Sequence, residues 1–379
     1  MKLVPQTAPY IRKPVSVGRM MADVIIALLP VVLFACFQNG WSGVSVILIS
    51  VATMLVTELF VHMLIKWPEG MKIKELFSKE GFSKLKANYT INNFTAPLVS
   101  AFIYALIMPA NCNGYVVFIG ALFGMLVGKM IFGGLGQNIF NPAAVGRVFV
   151  GICFGSKLIY GEGGVDVVSS ASGVDVVASG TPLAQIKDNL ANIGEVLNNY
   201  SLLDLFLGQI PGSMGEVCSL LIIVGGIYLF ARRSADLRSC LAMLGSFALM
   251  TITVCIAAYI LQGTNILDLF LFEMLAGGLL FGAVFMITDP VTSPTTKFGR
   301  IVFGVIAGSV TALIRYCGAY PEGVAYSILI ANMLTPAIDH FMIGKANTYS
   351  WKQILGLGIA MVILCLIVGF AVAGQMGGL

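Results

Sequence analysis

Charge is scarce in this sequence. Only 11% of its 379 residues are charged and 58% are apolar, whereas soluble domains carry about 25% charged residues. No basic patch suggests a nucleic-acid partner. The composition therefore excludes an ordinary soluble domain and indicates a polytopic membrane protein.

Metal-ligating residues are few or scattered. The two histidines, His62 and His340, lie too far apart in the sequence for a local metal motif. A haem held by both is the less favoured alternative to two imidazoles that each meet the membrane interface. The eight cysteines occur without a C-x-x-C pair, which argues against a four-thiolate iron–sulfur or zinc site built from neighbouring positions. We therefore expect no metal site.

The N-terminal segment 1–20 lacks the apolar core and the small-residue cleavage site of a signal peptide. It carries Lys2, Arg12, Lys13 and Arg19 instead. We interpret it as a cytoplasmic segment rather than as a cleavable signal.

Long hydrophobic runs are abundant. A membrane-spanning helix needs roughly 20 mostly apolar residues, and about eleven such runs are present. The predicted spans, numbered one to eleven, cover residues 21–37, 42–65, 94–108, 115–132, 139–154, 216–230, 240–261, 267–287, 301–316, 324–343 and 354–373.

The basic residues predict the orientation of these spans. The N-terminus, the connections 2–3, 6–7, 8–9 and 10–11, and Lys129 at the end of span four that leads into connection 4–5 hold 18 of the 22 Lys and Arg residues. The connections 1–2, 3–4 and 7–8 hold none. By the positive-inside rule the N-terminus is cytoplasmic and the C-terminus lies outside a bacterial or archaeal cell membrane. The long connection 5–6 then faces outward. Residues 66–93, with six Lys, are expected to lie against the lipids of the cytoplasmic leaflet.

The two halves of the chain contain similar motifs. Gly124 and Gly128 in span four match Gly304 and Gly308 in span nine, and an Asn-Pro-Ala sequence at 141–143 matches Thr-Pro-Ala at 335–337. The copies are five spans apart, so they run in opposite directions. We predict an all-α fold with an inverted five-plus-five repeat and an extra C-terminal helix.

This fold predicts five segments. They are a cytoplasmic N-terminus (1–20), a first repeat (21–155), an outward-facing segment (156–215), a second repeat (216–343) and an extra C-terminal span (344–379).

Polar residues inside the spans mark a candidate cavity. Pro142 and Pro336 each leave a carbonyl unpaired at membrane depth, which predicts either a broken helix or a kink satisfied within the bundle. Asp23, Glu58, Glu273, Asp289 and Asp339 fall near the span ends, so we expect most of them to reach water. Arg147 lies within span five and is expected to meet an anionic partner. The residues that we expect to serve an ion or a second cofactor are Asn138, Asn141, Arg147, Asp289, Asn332, Thr335 and Asp339.

Residues 175–183 allow two interpretations of Thr181. Gly180, Thr181 and Pro182 precede a mixed polar and apolar run, which is typical of a helix start with Thr181 as N-cap and Pro182 at the first position. The same stretch resembles the flavin-attachment motif Asp-x-x-Ser/Thr-Gly-Ala-Thr of the D subunit of the Rnf complex and the B subunit of the sodium-pumping NADH:quinone reductase. Asp175 lies six residues before Thr181, as in the family, whereas Ala178, Ser179 and Gly180 stand in a shifted order.

The resemblance covers most of the chain. It is carried further by residues 133–143, 287–296, 319–323 and 330–332 and by Asp339. It implies a membrane subunit of an ion-pumping complex that passes electrons between ferredoxin and NAD, with the C, B, G, A and E subunits as partners.

The same resemblance implies a cofactor. A separate flavin transferase would esterify the Thr181 hydroxyl to the phosphate of FMN, within a motif that includes Asp175, Ser179 and Gly180. The resemblance also allows riboflavin as a non-covalent second flavin.

Two other functions fit parts of the sequence. An inverted repeat also occurs in flavin-free solute channels that resemble urea channels, although such a channel has no need of residues 175–183. A passive assembly scaffold is the third alternative, and it would bind no flavin.

Overall fold

The structure, a computed structural model, describes residues 16–65, 89–158, 181–190, 192–318, 320, 322–342 and 351–377. Within these ranges every regular element is helical. The α-helices are α1 (Val17–Ile65), α2 (Ile91–Leu106), α3 (Gly114–Gly128), α4 (Pro142–Cys153), α5 (Pro182–Asp188), α6 (Ile193–Asn198), α7 (Leu202–Leu207), α8 (Ser219–Arg232), α9 (Leu237–Gln262), α10 (Ile266–Leu275), α11 (Leu279–Phe281), α12 (Lys297–Cys317), α13 (Val324–Phe341) and α14 (Trp351–Gly377). A π-helical turn, Gly282–Met286, follows α11.

Each predicted span coincides with helix, although fewer helices are long enough to cross a membrane alone. Five helices meet the length and apolarity expected of a span, or six if the bent pair Ile266–Leu275 and Leu279–Met286 counts as one. The helix α1 has 49 residues and contains the first two predicted spans, which meet at Gly40 with φ 56° and ψ −138°. Glycine is suited to that left-handed φ because it has no Cβ.

The core of the bundle is apolar and tightly closed. Tyr104, Phe247, Phe281 and Phe303 are fully buried between the helices. The helix α14 lies at the periphery, since it packs on α9 and α12 while most of its large apolar side chains stay exposed. Such a surface suits a helix that faces lipid.

The paired glycines allow close helix approach, as glycine at four-residue spacing predicts. A Cβ at Gly124 would lie 2.5 Å from the Pro142 carbonyl oxygen in α4, and one at Gly308 would lie 2.2 Å from the Met243 carbonyl oxygen in α9. The first pair therefore packs on the next span, and the second pair packs on α9, two spans earlier. The matching motifs have non-equivalent partners, so the inverted repeat and its segment boundaries stay predictions.

The two prolines behave differently. The helix α4 begins at Pro142, and the Asn141 side chain caps it by accepting from the Ala143 N–H at 3.0 Å. The chain is thus broken before Pro142, whereas α13 runs through Pro336 without a break. Thr335 Oγ1 donates to the Thr292 carbonyl at 2.9 Å and to the Ala331 carbonyl at 3.3 Å.

A break that we did not predict separates α10 from α11. The two helices of this pair meet at 55°, and Gly277 between them has φ 73°. This break positions two acidic side chains at the site described below.

Short helices from the long connection fold onto one end of the bundle. Leu183 and Ile186 of α5, Ile193 and Val196 of α6 and Leu205 of α7 form a small buried cluster with the ends of α9 and α10. Gln262 at the end of α9 also donates to the Leu190 carbonyl at 2.5 Å and accepts from the Ile193 N–H at 3.2 Å. This end of the bundle is the one predicted to face outward.

Candidate functional site

Thr181 starts α5, as the local sequence predicts. Its Oγ1 accepts a hydrogen bond from the Ala184 N–H at 3.3 Å, and Pro182 occupies the first helical turn. The residue is only 6% exposed. Asp175, Ser179 and Gly180 lie outside the described residues.

Lys187 ties α5 to the end of α12. Its ammonium donates to the carbonyl oxygens of Arg315, Gly318 and Tyr320 at 3.4, 2.5 and 2.9 Å. These oxygens lie at the negative end of the α12 dipole, where a cation is favoured. Burial lowers the pKa of Lys187, and the nearby Asp188 opposes that shift.

A cavity of about 390 Å³ opens beside Thr181. This volume is in the range of small-molecule and cofactor sites. Most of the lining comes from α4 and the residues after it, from the start of α5, from the connection before α8, and from the start of α13 with the connection before it. Ile107 after α2 and Met286 of the π-helical turn complete it. The lining residues used below are Arg147, Gly151, Thr181, Glu216, Tyr320, Glu322 and Tyr326.

One wall of the cavity is aromatic. The Tyr320 and Tyr326 rings stack with centroids 5.1 Å apart and planes at 20°. Tyr326 Oη is buried without a hydrogen-bond partner among the described residues. A Cβ at Gly151 would lie 3.3 Å from that oxygen. A larger residue at this position would therefore crowd the Tyr326 hydroxyl.

The charged groups lie at the helix break and on α4. Glu216 is 8% exposed, and its Oε2 has no hydrogen-bond partner within the described part of the chain. A Cβ at Gly278 would lie 2.3 Å from Glu216 Oε1, and one at Gly277 would lie 3.1 Å from Glu322 Oε1. The glycines of the break therefore let both carboxylates approach. Arg147, half-buried on α4, interacts electrostatically with Glu216.

The cavity thus combines the groups that a flavin requires. Thr181 offers a hydroxyl, Arg147 a positive charge, Glu216 an acceptor oxygen and Tyr326 a phenolic donor. Two of these polar groups are buried without a partner among the described residues, and such groups are costly unless a ligand or water satisfies them. The residues present fit FMN.

The other predicted site residues divide into two groups. Asn138, Asn141 and Asp289 line a second, smaller cavity of about 70 Å³, which has room for a few water molecules. Asn332, Thr335 and Asp339 do not line it. Asp339 accepts from the Thr295 N–H at 2.9 Å, and Asn332 is fully buried with neither side-chain polar atom bonded to a described residue.

Several acidic residues that we expected in water are buried. Glu58 is 2% exposed and lies 2.5 Å from the Lys129 ammonium, which also lines the smaller cavity. Glu273 is 2% exposed and pairs with Arg315 at 3.0 Å, and Asp23 is equally buried beside Arg232 at 3.1 Å. The expectation was wrong because their partners lie 42 to 209 positions away, and sequence distance hides such pairs.

Sequence reasoning also missed Glu216, Tyr320 and Tyr326 as members of the site. Glu216 stands at the edge of an apolar run, where an ionisable residue is a functional candidate by default. That signal was available. No local pattern distinguishes the two tyrosines from interfacial ones.

Comparison with known proteins places these residues in a family context. The profile of the NQR2, RnfD, RnfE family matches residues 4–348. The chain is 34% identical over 344 residues to the D subunit of the proton-translocating ferredoxin:NAD(+) oxidoreductase complex of Clostridium ljungdahlii, covering 88% of this chain and 93% of that protein.

Two further relatives differ in ion and in length. The D subunit of the Na(+)-translocating ferredoxin:NAD(+) oxidoreductase complex of Acetobacterium woodii is 31% identical over 343 residues, covering 90% of this chain and 94% of that protein. The B subunit of the Na(+)-translocating NADH-quinone reductase of Chromohalobacter salexigens is 38% identical over 256 residues, covering 66% of this chain and 58% of that protein.

Proposed function

Because the chain belongs to the NQR2, RnfD, RnfE family, we propose that it is the D-type membrane component of an ion-translocating ferredoxin:NAD oxidoreductase complex and carries covalent FMN on Thr181. The A, B, C, E and G subunits of such a complex would be its partners. The observation that carries the proposal is the Thr181 hydroxyl at a cavity of about 390 Å³, which also holds two buried polar atoms, Glu216 Oε2 and Tyr326 Oη, without a hydrogen-bond partner among the described residues.

Attachment of FMN exchanges one phosphorus–oxygen bond for another. The Thr181 Oγ1 forms a bond to the phosphorus of the FMN moiety of a flavin dinucleotide, and the anhydride bond from that phosphorus to the donor's second phosphate breaks. A nucleoside monophosphate leaves, and the hydroxyl proton passes to solvent. A separate flavin transferase performs this step. The Ala184 N–H that now donates to Oγ1 at 3.3 Å orients the oxygen on α5.

The other cavity residues hold and orient the cofactor. When bound, FMN accepts and passes one or two electrons. Arg147 supplies a positive charge toward a phosphate or an anionic ring edge, and Glu216 supplies an acceptor for a ring N–H. The stacked Tyr320 and Tyr326 offer an aromatic wall of the kind on which planar rings pack.

We place ion translocation at the smaller cavity that Asn138, Asn141 and Asp289 line beside the buried Glu58–Lys129 pair. Coupling requires two states with different affinity for the ion. The choice between Na⁺ and H⁺ is left open in this proposal, because the two D-type relatives are named for different ions.

Fluorescence of the chain after denaturing electrophoresis tests the attachment. The wild-type band from cells with an active flavin transferase should fluoresce under ultraviolet light, and Thr181→Asn should be dark. Asparagine is as good an N-cap as threonine but has no hydroxyl to esterify, so this variant removes the bond without removing the helix start.

Two controls make the result specific. Ser179→Ala should keep its fluorescence, and intact-mass analysis should find the mass of FMN on wild type but not on Thr181→Asn. A dark wild-type band would contradict the proposal and favour the flavin-free channel or the passive scaffold.

A further inference from the structure

A basic cavity lies at the other end of α9 from Thr181. Gln262, at one end of α9, bonds to the short helices near Thr181, whereas Leu237, at the other end, borders a cavity of about 530 Å³. Arg233, Arg238 and Arg300 also line this cavity. The charge distribution predicts that this end faces the cytoplasm.

The cavity has more positive than negative charge. Asp236 is its one acidic lining residue among those described. Arg300 donates to Asp236 Oδ2, and Arg238 lies 3.6 Å from the same oxygen. Arg238 nevertheless keeps 44% of its side chain exposed and Arg300 keeps 28%. The described lining therefore carries three arginines and one aspartate, an excess of two positive charges that favours an anionic ligand.

Arg233 is held in an unusual backbone conformation. It ends α8 with φ 58° and ψ 29°, and it is the one non-glycine residue of the described chain with a positive φ. Glycine is the ordinary residue there, because a Cβ is disfavoured in the left-handed region. Arg233 is exposed and forms no ion pair within the described ranges. The intramolecular contacts thus leave its presence at a strained position unexplained.

The walls beside the arginines are apolar. Leu237 and Leu241, one turn apart on α9, are 45% and 56% exposed, and Phe230 and Met20 complete that side. The helix α9 is one of the helices long and apolar enough to cross a membrane. A soluble anion makes no use of such a wall, whereas an acyl chain does.

We propose that this cavity binds an anionic phospholipid, with its phosphate between Arg233, Arg238 and Arg300 and its acyl chains along Leu237 and Leu241 of α9. Basic pockets beside membrane helices are suited to anionic headgroups. The bound lipid joins the α8–α9 turn to the start of α12 and to the first turns of α1.

Titration of the purified full chain in detergent with dioleoyl phosphatidylglycerol tests the site, with the melting temperature and native mass spectrometry as readouts. Dioleoyl phosphatidylglycerol should raise the melting temperature and bind stoichiometrically, and dioleoyl phosphatidylcholine should not. Arg233→Gly should weaken that binding about fivefold, as the loss of one basic residue near an anionic lipid predicts. Arg238→Gln should do the same.

The Arg233→Gly variant separates binding from folding. It relieves the positive φ, so in detergent without lipid it should melt at or above the wild-type temperature. Lys352→Gln, which removes an exposed lysine on α14, should bind like wild type.

Three results would overturn the proposal. They are equal binding of the two lipids, an equal shift from sn-glycerol 3-phosphate, which lacks acyl chains, and wild-type affinity in both arginine variants.

Discussion

Buried ion pairs connect residues that lie far apart in the sequence of this chain. Arg315 illustrates the point, since its Nη1 donates to Glu273 Oε2 at 3.0 Å and to the Glu273 carbonyl at 2.7 Å. Its guanidinium also lies 4.7 Å from the centre of the Phe247 ring. Each side chain of the pair is about 3% exposed, so neither charge has access to water.

Removing one charge of this pair should be costly. Glu273→Gln leaves the Arg315 charge buried, and we expect a loss of about 3–5 kcal/mol in the free energy of unfolding, as for other broken buried pairs. The double variant Glu273→Leu/Arg315→Leu should lose less than the single one, because no uncompensated charge remains. Chemical unfolding in detergent measures these free energies. A double variant that loses as much stability as Glu273→Leu and Arg315→Leu lose together would contradict the pairing.

Asp236, in the turn between α8 and α9, should give stability a pH dependence. Burial raises the pKa of its carboxyl, but the Arg238 N–H and the Arg300 guanidinium outweigh burial and hold the pKa below the usual value. Its stabilisation is therefore complete above the unfolded pKa of about 3.9 and is lost as the pH falls through the folded pKa.

The matching experiment compares Asp236→Asn with wild type across pH. The variant should melt lower than wild type at pH 7, and the gap should close as the solution is acidified below about pH 4. Glu195→Gln, which removes an exposed carboxylate elsewhere in the chain, is the matched control. A gap that is constant with pH would mean that the carboxylate charge does not stabilise the turn.

At the scale of elements, helix packing depends on glycines at a few crossings. A Cβ at Gly308 would lie 2.2 Å from the Met243 carbonyl oxygen, a backbone atom, whereas a Cβ at Gly356 would meet nothing within 4 Å. Gly308→Ala should therefore destabilise the chain by about 1–3 kcal/mol through overpacking.

Gly356→Ala is the matched control for that substitution. It should be neutral or stabilising by up to about 1 kcal/mol, since alanine is the better helix former. Melting temperatures in the same detergent compare the two variants. Equal effects would show that α9 and α12 can separate without cost.

The elements themselves were largely predictable, and their breaks were not. Run length and apolarity identified every predicted span as helix. Of the two outcomes expected at Pro142, a broken helix and a kink, the structure shows the break, with α4 beginning at this residue. Pro336 did not break α13, which continues through it to Phe341. The bend at Gly277 was missed because glycine inside an apolar run is equally compatible with tight packing.

The candidate site was predictable only in part for a related reason. Thr181 and Arg147 were each identified from local sequence, but nothing local predicts that they line one cavity. Their meeting depends on how α4, α5 and α13 pack. Glu216 and Glu322 approach because two consecutive glycines leave room at the helix break, a long-range effect with no periodic pattern.

At the scale of the whole molecule, the distribution of Lys and Arg predicts how the bundle crosses the membrane. Fusions after Leu379 test this orientation. Because the basic residues favour a cytoplasmic N-terminus and the predicted spans are odd in number, alkaline phosphatase fused there should be active and green fluorescent protein should be dark.

A fusion after Lys129 serves as the control with opposite results, since that residue lies at the end of span four that is predicted to be cytoplasmic. Activity of alkaline phosphatase at Lys129, or fluorescence after Leu379, would reverse the orientation. Thr181 would then face the cytoplasm.

The hydrogen bonds that Lys187 donates to three backbone carbonyl oxygens have a consequence for electron transfer. The rate of electron transfer falls steeply with the distance between donor and acceptor. A carrier on a mobile segment would therefore transfer electrons only intermittently. Thr181 lies at the start of α5, six positions before Lys187. The Lys187 ammonium holds this short helix to the end of α12. A redox group bound at Thr181 would keep a constant distance from its electron donor and acceptor, because the hydrogen bonds of Lys187 hold the helix in place.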